Sequence, residues 1–126
     1  MTRWVPAAGK RPITTTGFAA SSTDPSTWAS FAEVSRSTAG DGHGIMLGDG
    51  LGCYDLDHTT DAEMRDFLAT VTESVLFVER SVSGHGFHIF IEAPEGKGYR
   101  RGNLERYTRA RFIRVTGEHL ARVDTR

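Results

Sequence analysis

The stretch from Gly48 to His58, GDGLGCYDLDH, constrains the fold of this chain more than any other segment. Its glycines predict a turn, and the short apolar run after them predicts a strand. Side chains on a strand alternate between faces, so Asp55 and Asp57 project to the same face, roughly 6.5 to 7 Å apart along the strand. Tyr54 and Leu56 take the other face. We therefore expect a strand with one apolar face to bury and one acidic face left open.

Two interpretations of this D-x-D pattern have to be weighed, because short patterns arise by chance in many sequences. In the structural one, Asp57 caps the helix that follows and Asp55 is merely solvated. In the functional one, two carboxylates on one face share metal ions. Other segments of the chain must decide between them.

The composition is that of a globular protein without a strong overall charge. The chain has 126 residues, 25% of them charged, and a formal net charge of -1. This length predicts a single domain over residues 1–126 with a sizeable core. A near-neutral chain has little non-specific attraction to nucleic acid, so any such contact must come from a local basic region.

A local basic region lies in the last quarter of the chain, where six arginines fall within fifteen positions. They are Arg100, Arg101, Arg106, Arg109, Arg111 and Arg114. A charge run is commonly a solvated face, but this density exceeds what solubility requires. Tyr107 and Phe112 are interleaved with the arginines and offer surfaces on which nucleic-acid bases could stack.

Cysteine usage and hydropathy indicate the compartment. The single Cys53 cannot form an intramolecular disulfide, and cysteine metal sites need several cysteines, so we expect a reducing compartment. The N-terminus has no apolar signal region, and no apolar run approaches the roughly 18 residues of a membrane span. These features predict a cytoplasmic protein without membrane contact.

Helix signals occur at two places. Asp24 followed by Pro25 predicts a helix start, and apolar residues at helical spacing continue this helix to a point before Gly40. Thr60 to Glu63 is a capping box, and the apolar residues after it recur at i, i+3, i+4 and i+7. A second helix is therefore predicted directly after the D-x-D strand.

The other periodic segments predict strands. Ile45 to Leu47 precedes the glycine turn, so we expect it to form a hairpin with the D-x-D strand. On a later strand, Glu105 shares a face with Tyr107 and is a third acidic candidate. The later strands are predicted over residues 75–79, 87–92, 104–107 and 111–115, with a polar loop over residues 93–102.

A glycine-containing loop, Arg80 to Gly86, precedes the strand that carries His88. A lone histidine on a strand is more often structural than functional. Here, however, Gly84 and Gly86 would let backbone N–H groups come close to a phosphate. Ser83 and His88 would then complete an anion site. The loop thus predicts a phosphate-binding site.

Four segments of the chain, taken together and in their order, carry a resemblance to a known family. They are ASSTDPSTWASFAEV at 20–34, GIMLGDGLGCYDLDH at 44–58, VSGHGFHIFIE at 82–92 and GYRRGNLERYTRARFIRVTG at 98–117. Each is weak alone, but the combination is hard to obtain by chance. Together they resemble the N-terminal primase-polymerase domain of phage and plasmid primases, in the archaeo-eukaryotic primase superfamily.

The resemblance implies an α+β fold with a mixed, largely antiparallel, RRM-like palm sheet flanked by helices. It implies that Asp55, Asp57 and Glu105 are catalytic and hold two divalent ions, Mg²⁺ or Mn²⁺. The residues implied to bind the incoming nucleotide are Ser83, Gly84, Gly86, His88 and Arg111.

The function implied is template-directed primer synthesis or extension in phage or plasmid replication, from nucleoside triphosphates on single-stranded DNA. The residues expected to contact the template are Arg100, Arg101, Arg106, Arg109 and Tyr107. Relatives continue into more of the palm and then a helicase. We therefore expect this chain to lack a helicase, with a separate replicative helicase as a candidate partner, and it stays open whether part of the C-terminal palm is missing. A phage-encoded protein of this kind would work in the bacterial host cytoplasm.

Two other functions stay open. A Rep-type metal-dependent nickase uses two histidines on one face and a tyrosine nucleophile, for which Tyr107 is available. However, His85 and His88 are three positions apart and would face opposite sides of a strand. A catalytically weak nucleic-acid or nucleotide-binding module is favoured by the arginines and their aromatic neighbours. Incorporation of labelled nucleotide on a template separates the enzyme from this module.

Overall fold

The computed structural model describes residues 2–118, which form strands, two α-helices and one short 3₁₀ helix. The strands are β1 (Trp4–Ala8), β2 (Arg11–Pro12), β3 (Gly42–Met46), β4 (Leu51–Leu56), β5 (Val75–Arg80), β6 (Phe87–Glu92), β7 (Tyr99–Arg101), β8 (Leu104–Tyr107) and β9 (Phe112–Val115). The helices are the 3₁₀ turn Pro25–Thr27, α1 (Phe31–Arg36) and α2 (Asp61–Leu68). All pairings between these strands are antiparallel, which confirms the predicted α+β fold with largely antiparallel sheets.

The chain divides into two compact units. The first comprises the residues up to Leu47 together with Ala110–Thr116, and its sheet has the strand order β2-β1-β3-β9. The second comprises Gly48–Arg109 and the residues from Gly117, and its sheet has the order β5-β6-β4-β8-β7. A single domain over residues 1–126 stays a prediction. Within residues 2–118, no helix has the length and apolar character to cross a lipid bilayer.

The predicted hairpin between the Ile45–Leu47 run and the D-x-D strand is wrong. β3 pairs with β1 and β9, whereas β4 pairs with β6 and β8. The glycine turn between them closes only an isolated bridge from Gly48 to Leu51. The physical reason is the number of residues of β4 that each possible partner strand can pair with. On β6, all six residues of β4 have partners. A run of three apolar residues could not satisfy as many backbone groups.

The helix predicted from Asp24 is interrupted. Asp24 caps only the 3₁₀ turn. Ala29 then exchanges two backbone hydrogen bonds, of 2.8 and 2.9 Å, with Trp4 of β1, which requires an extended chain at that point. A separate capping box formed by Ser30 and Glu33 starts α1. Pairing with β1 therefore overrides the helical spacing of the apolar residues.

The helix α2 begins where predicted, at the capping box of Thr60 and Glu63. Its buried side chains pack against one face of the second unit's sheet. The packed residues are Met64 and Leu68 of the helix and Tyr54, Leu56, Phe87, Ile89 and Ile91 of β4 and β6. Because side chains alternate along a strand, Asp55 and His88 must lie on the other face.

The segment 93–102, predicted as a loop, contains β7. This strand pairs with β8 in a hairpin whose turn is Gly102-Asn103, with Gly102 at φ 60°. A Gly-Asn pair between two short strands is a recognised hairpin signal, because such turns require positive φ. Arg100 and Arg101 consequently lie on a strand and not in a loop.

Candidate active site

One polar residue from each of the five strands lies in a single row across the second unit's sheet. In spatial order the register aligns Glu79, His88, Asp55, Glu105 and Arg100. Residues directly opposite on antiparallel strands project from the same face. These five residues, named the polar row below, therefore stand side by side on the face away from α2.

Two carboxylates occupy the centre of the polar row. Asp55 and Glu105 are direct cross-strand partners on β4 and β8, and the Cβ atoms of such partners are about 4.5 to 5.5 Å apart. The side chain of Asp55 is 32% exposed and that of Glu105 is 17% exposed. Glu105 accepts hydrogen bonds from the Arg100 guanidinium at 2.7 Å and from the Tyr107 hydroxyl at 3.0 Å. The pair is thus fixed in place and still reachable from solvent.

Asp57 lies one position beyond β4, with a side chain that is 63% exposed. Its N–H donates to the Asn103 carbonyl at 2.9 Å, so strand-like alternation continues and places it on the face of the polar row. Its carboxylate accepts the N–H of His58 at 3.1 Å. Asp57 does not cap α2, because Thr60 holds that position. The structural interpretation of Asp57 as a helix cap is therefore wrong.

The donor atoms fit a hard divalent cation. Carboxylate oxygens are the ligands that Mg²⁺ and Mn²⁺ prefer, and Asp55 and Glu105 offer them side by side. Asp57 would have to turn away from His58 to join them. Among residues 2–118, no group of three Asp, Glu, His or Cys side chains converges into a metal centre. The centre built from all three carboxylates stays a prediction.

His88 is buried and connects Asp55 to a residue that the sequence patterns did not single out. Its Nδ1 lies 2.8 Å from Oε2 of Glu79, whose side chain is fully buried. Its Nε2 lies 3.8 Å from Oδ1 of Asp55. The sequence did contain a signal for Glu79. It is the acidic residue that ends the otherwise apolar run VLFVE, and its alignment with His88 on β6 places both side chains on the same face of the sheet. His88 thus lies between a buried carboxylate and the central pair.

The glycine loop forms the turn between β5 and β6. Gly84 adopts φ 80°, which favours glycine, and a Cβ at Gly86 would come within 2.3 Å of the Leu56 carbonyl oxygen. Gly84 is therefore favoured by the turn, and Gly86 is required by its close approach to β4. The Ser83 hydroxyl accepts a backbone N–H within the turn at 3.1 Å. Ser83 and Gly84 are exposed, and their contact with a phosphate stays a prediction.

Arg106 lies on the α2 face of the sheet, opposite to the polar row. It is aligned with Tyr54, its guanidinium is 5.5 Å from the ring centroid of that residue, and it donates to Glu73 at 2.8 Å. The Tyr54 hydroxyl also donates to Glu73 at 3.0 Å. Burial by itself would raise the pKa of Glu73, but hydrogen bonds from Arg106, the backbone and Tyr54 outweigh it and lower that pKa. Arg106 is thus engaged in a structural network.

The other arginines of the basic region are divided between the two units. The second unit contains Arg100, Arg101 and Arg109, and the first contains Arg111 and Arg114. Arg101 stacks over the ring of Tyr99, 4.6 Å from its centroid, and Arg114 donates to Asp41 at 2.8 Å. Template contacts by the arginines and Tyr107, and a nucleotide contact by Arg111, stay predictions.

Comparison with known proteins identifies the family to which the chain belongs. A family model described as "Bifunctional DNA primase/polymerase, N-terminal" matches residues 3–126. A search of curated proteins finds no match. The family match covers all four segments that carry the resemblance and both strands that hold the carboxylate pair. The chain therefore belongs to the family of N-terminal domains of bifunctional DNA primase/polymerases.

Proposed function

We propose that this chain is a nucleotidyltransferase that joins nucleotides into a DNA primer strand on a single-stranded template. The observation that carries the proposal is the pairing of Asp55 with Glu105 at the centre of the polar row. The membership of the primase/polymerase family supports the same reaction class. A role in phage or plasmid replication, beside a separate helicase, completes the proposal.

Asp55 and Glu105, joined by Asp57, would hold two Mg²⁺ or Mn²⁺ ions. When bound, such ions activate the 3′-hydroxyl and stabilise the leaving pyrophosphate. The chain's own contribution is positioning. Asp55 is fixed by pairing of β4 on both sides, and the carboxylate of Glu105 is oriented by Arg100 and Tyr107. Preorganised charges of this kind need little rearrangement during the reaction.

The triphosphate would lie on the β6 side of the carboxylate pair. His88 presents Nε2 toward Asp55 from that side, and the turn that carries the exposed Ser83 and Gly84 precedes the same strand. Arg101 and Arg109 are exposed and suit contacts with the template backbone.

A nucleic-acid or nucleotide-binding module with little catalysis is the second candidate. Two observations favour it. The carboxylate of Glu105 already accepts hydrogen bonds from Arg100 and Tyr107. In addition, residues 2–118 contain no three-ligand centre. A Rep-type nickase is disfavoured, because His85 lies in an exposed turn while His88 is buried against Glu79.

Incorporation of labelled nucleotide on primed and unprimed single-stranded DNA tests the proposal, with Mg²⁺ or Mn²⁺ supplied. Asp55→Asn should reduce incorporation by roughly a hundredfold or more, the usual cost of losing one group that stabilises a transition state. Asp66→Asn, on the exposed side of α2, is the matched control and should retain activity. Template binding without incorporation by the parent protein would favour the binding module. Full activity of Asp55→Asn would overturn the site.

A further inference from the structure

Arg100 forms an ion pair with Glu105 at the edge of the second unit's sheet. Its guanidinium nitrogen Nη2 lies 2.7 Å from Oε2 of the carboxylate, whereas Oε1 accepts the Tyr107 hydroxyl at 3.0 Å. These two contacts therefore use different oxygens. The side chain of Arg100 is 73% exposed and that of Glu105 is 17% exposed. The arginine thus reaches a largely covered carboxylate from the solvent side.

The position of Arg100 makes this contact easy to give up. Its strand, β7, has three residues and lies at the end of the strand order. An exposed ion pair contributes little net free energy, because each partner is well solvated when the pair opens. Backbone pairing keeps Arg100 opposite Glu105 wherever its side chain points. The guanidinium can therefore move while the carboxylate stays in the polar row.

Arg100 is also the one arginine in the polar row, and it stands directly beside the carboxylate pair of Asp55 and Glu105. A guanidinium and a divalent cation repel each other, since both are positively charged. The arginine at Oε2 of Glu105 consequently opposes the binding of a cation to the pair. The same oxygen cannot serve both partners well.

We propose that Arg100 is an exchangeable counter-ion, which occupies Oε2 of Glu105 and gives it up when a divalent cation binds the carboxylate pair. Tyr107 stays on Oε1, so Glu105 keeps one anchor through the exchange. The released guanidinium can then bond to a phosphate group, for which its planar set of donors is suited. Only the identity of that phosphate, in a nucleotide or a template, rests on the proposed function.

Calorimetric titration of the full chain with Mn²⁺, without nucleotide, tests the competition. Arg100→Gln removes the positive charge but keeps a group that can donate a hydrogen bond. Because the cation no longer has to replace an arginine, the affinity for Mn²⁺ should rise by roughly 3- to 10-fold, near and above the upper end for opening an exposed ion pair. An affinity equal to or below that of the parent would overturn the proposal.

Arg101→Gln is the matched control for the loss of one positive charge from β7. Neighbouring residues on a strand project to opposite faces, and the guanidinium of Arg101 stacks over Tyr99, 4.6 Å from the ring centroid. Its removal should change the affinity for Mn²⁺ by less than about twofold, because salt screens exposed charges at longer range. A rise as large as that of Arg100→Gln would show a general charge effect and would also overturn the exchange.

A second measurement follows Arg100 itself. Side-chain ¹H–¹⁵N spectra of the full chain, labelled with ¹⁵N-arginine, are recorded during a titration with the diamagnetic ion Mg²⁺. The signal of Arg100 is identified by its loss in Arg100→Gln, and it should move toward its position in Glu105→Gln as Mg²⁺ binds. The signal of Arg106, which is bonded to Glu73 on the α2 face, should stay in place. An unmoved Arg100 signal at saturating Mg²⁺ would overturn the exchange.

The role of Arg100 and the proposed function can fail separately. If the parent binds Mn²⁺ and Arg100→Gln binds it no more tightly, only the role of Arg100 is overturned. If neither protein binds Mn²⁺, the carboxylate pair is not a cation site and both proposals are overturned. If Mn²⁺ binds as expected but no nucleotide is incorporated, the proposed reaction is overturned and the exchange at Glu105 stands.

Discussion

Asp55 and Glu105 face each other on β4 and β8 although they are fifty positions apart in the sequence. His88 stands beside Asp55 on one side, and Arg100 stands beside Glu105 on the other. The centre of the site is therefore made by pairing between distant strands. Within the D-x-D motif, the first aspartate belongs to this centre and the second lies at its margin.

Cation binding should depend on both central carboxylates. Asp55→Asn or Glu105→Gln should weaken the affinity for Mn²⁺ by roughly tenfold or more. Loss of a residue that only hydrogen-bonds to a metal ligand already weakens metal binding by about tenfold. Titration calorimetry with Mn²⁺ measures the effect, and Asp66→Asn serves as the control. If both variants bind Mn²⁺ like the parent, the carboxylate pair is not the cation site.

Nucleotide affinity should depend on His88. We choose His88→Gln because alanine would remove the contact between His88 and the buried Glu79, whereas an amide can still donate to that carboxylate. Loss of a hydrogen bond to a charged phosphate costs about 1.5 to 3 kcal/mol, or roughly 10- to 150-fold in affinity. Calorimetry with a nonhydrolysable nucleoside triphosphate checks this value. His43→Gln, in the first unit, should bind normally, and an equally normal His88→Gln would remove His88 from the nucleotide site.

Salt dependence should separate the arginines that touch the template from those that do not. Each phosphate contact adds about 0.7 to the log–log slope of single-strand affinity against salt. Arg101→Ala and Arg109→Ala should each lower the slope by about this amount. Arg106→Ala should leave it unchanged, because that guanidinium is bonded to Glu73 on the α2 face. A reduced slope for Arg106→Ala would show that the template runs along the other side of the sheet.

Stability should fall in acid partly through Glu73. Its folded pKa lies below the reference value of 4.5, so the unfolded chain takes up the proton first as the pH falls. The stabilisation is therefore complete above the unfolded pKa and is lost as the pH falls through the folded pKa. Urea unfolding between about pH 7 and pH 3 should show a steeper loss for the parent than for Glu73→Gln. Parallel curves for the two proteins would contradict this assignment.

Gly86, in the turn before β6, should not tolerate alanine, whereas Gly96, in the segment after β6, should tolerate it. A Cβ at Gly86 would meet the Leu56 carbonyl at 2.3 Å, and backbone cannot move aside cheaply. Gly86→Ala should therefore lower the free energy of unfolding by about 1 to 3 kcal/mol, as overpacking usually does. Gly96 has open space at its Cβ, so Gly96→Ala is the control. Equal stabilities by chemical denaturation would mean that Gly86 is not required by packing.

Local signals predicted the parts of the fold that local contacts decide. The capping box at Thr60 started α2 as expected, and alternation placed Asp55 on the face opposite to Tyr54. The choice of partner strands could not be read in the same way. Short apolar runs do not specify what they pair with, and β3 and β4 joined different sheets. The helix expected through Ala29 failed for the same reason, because a hydrogen-bonding partner came from Trp4.

The candidate site was predicted unevenly for a related reason. Asp55, Glu105 and His88 carry chemistry that stands out against their neighbours, and the register places all three in the polar row. Glu79 was missed because a charged residue at the end of a strand ordinarily points to solvent, and only the folded chain shows it fully buried. Arg106 was grouped with its neighbours by charge, although alternation on β8 already separates it from Glu105.

The make-up of the polar row is sensitive to single-residue insertions and deletions. A shift of β8 by one position against β4 would bring Leu104 or Arg106 beside Asp55 in place of Glu105. An equivalent slip of β6 would replace His88 by Phe87 or Ile89. Strand length and spacing in this sheet therefore decide which side chains share the polar row, and we expect length changes in related sequences to fall in the turns.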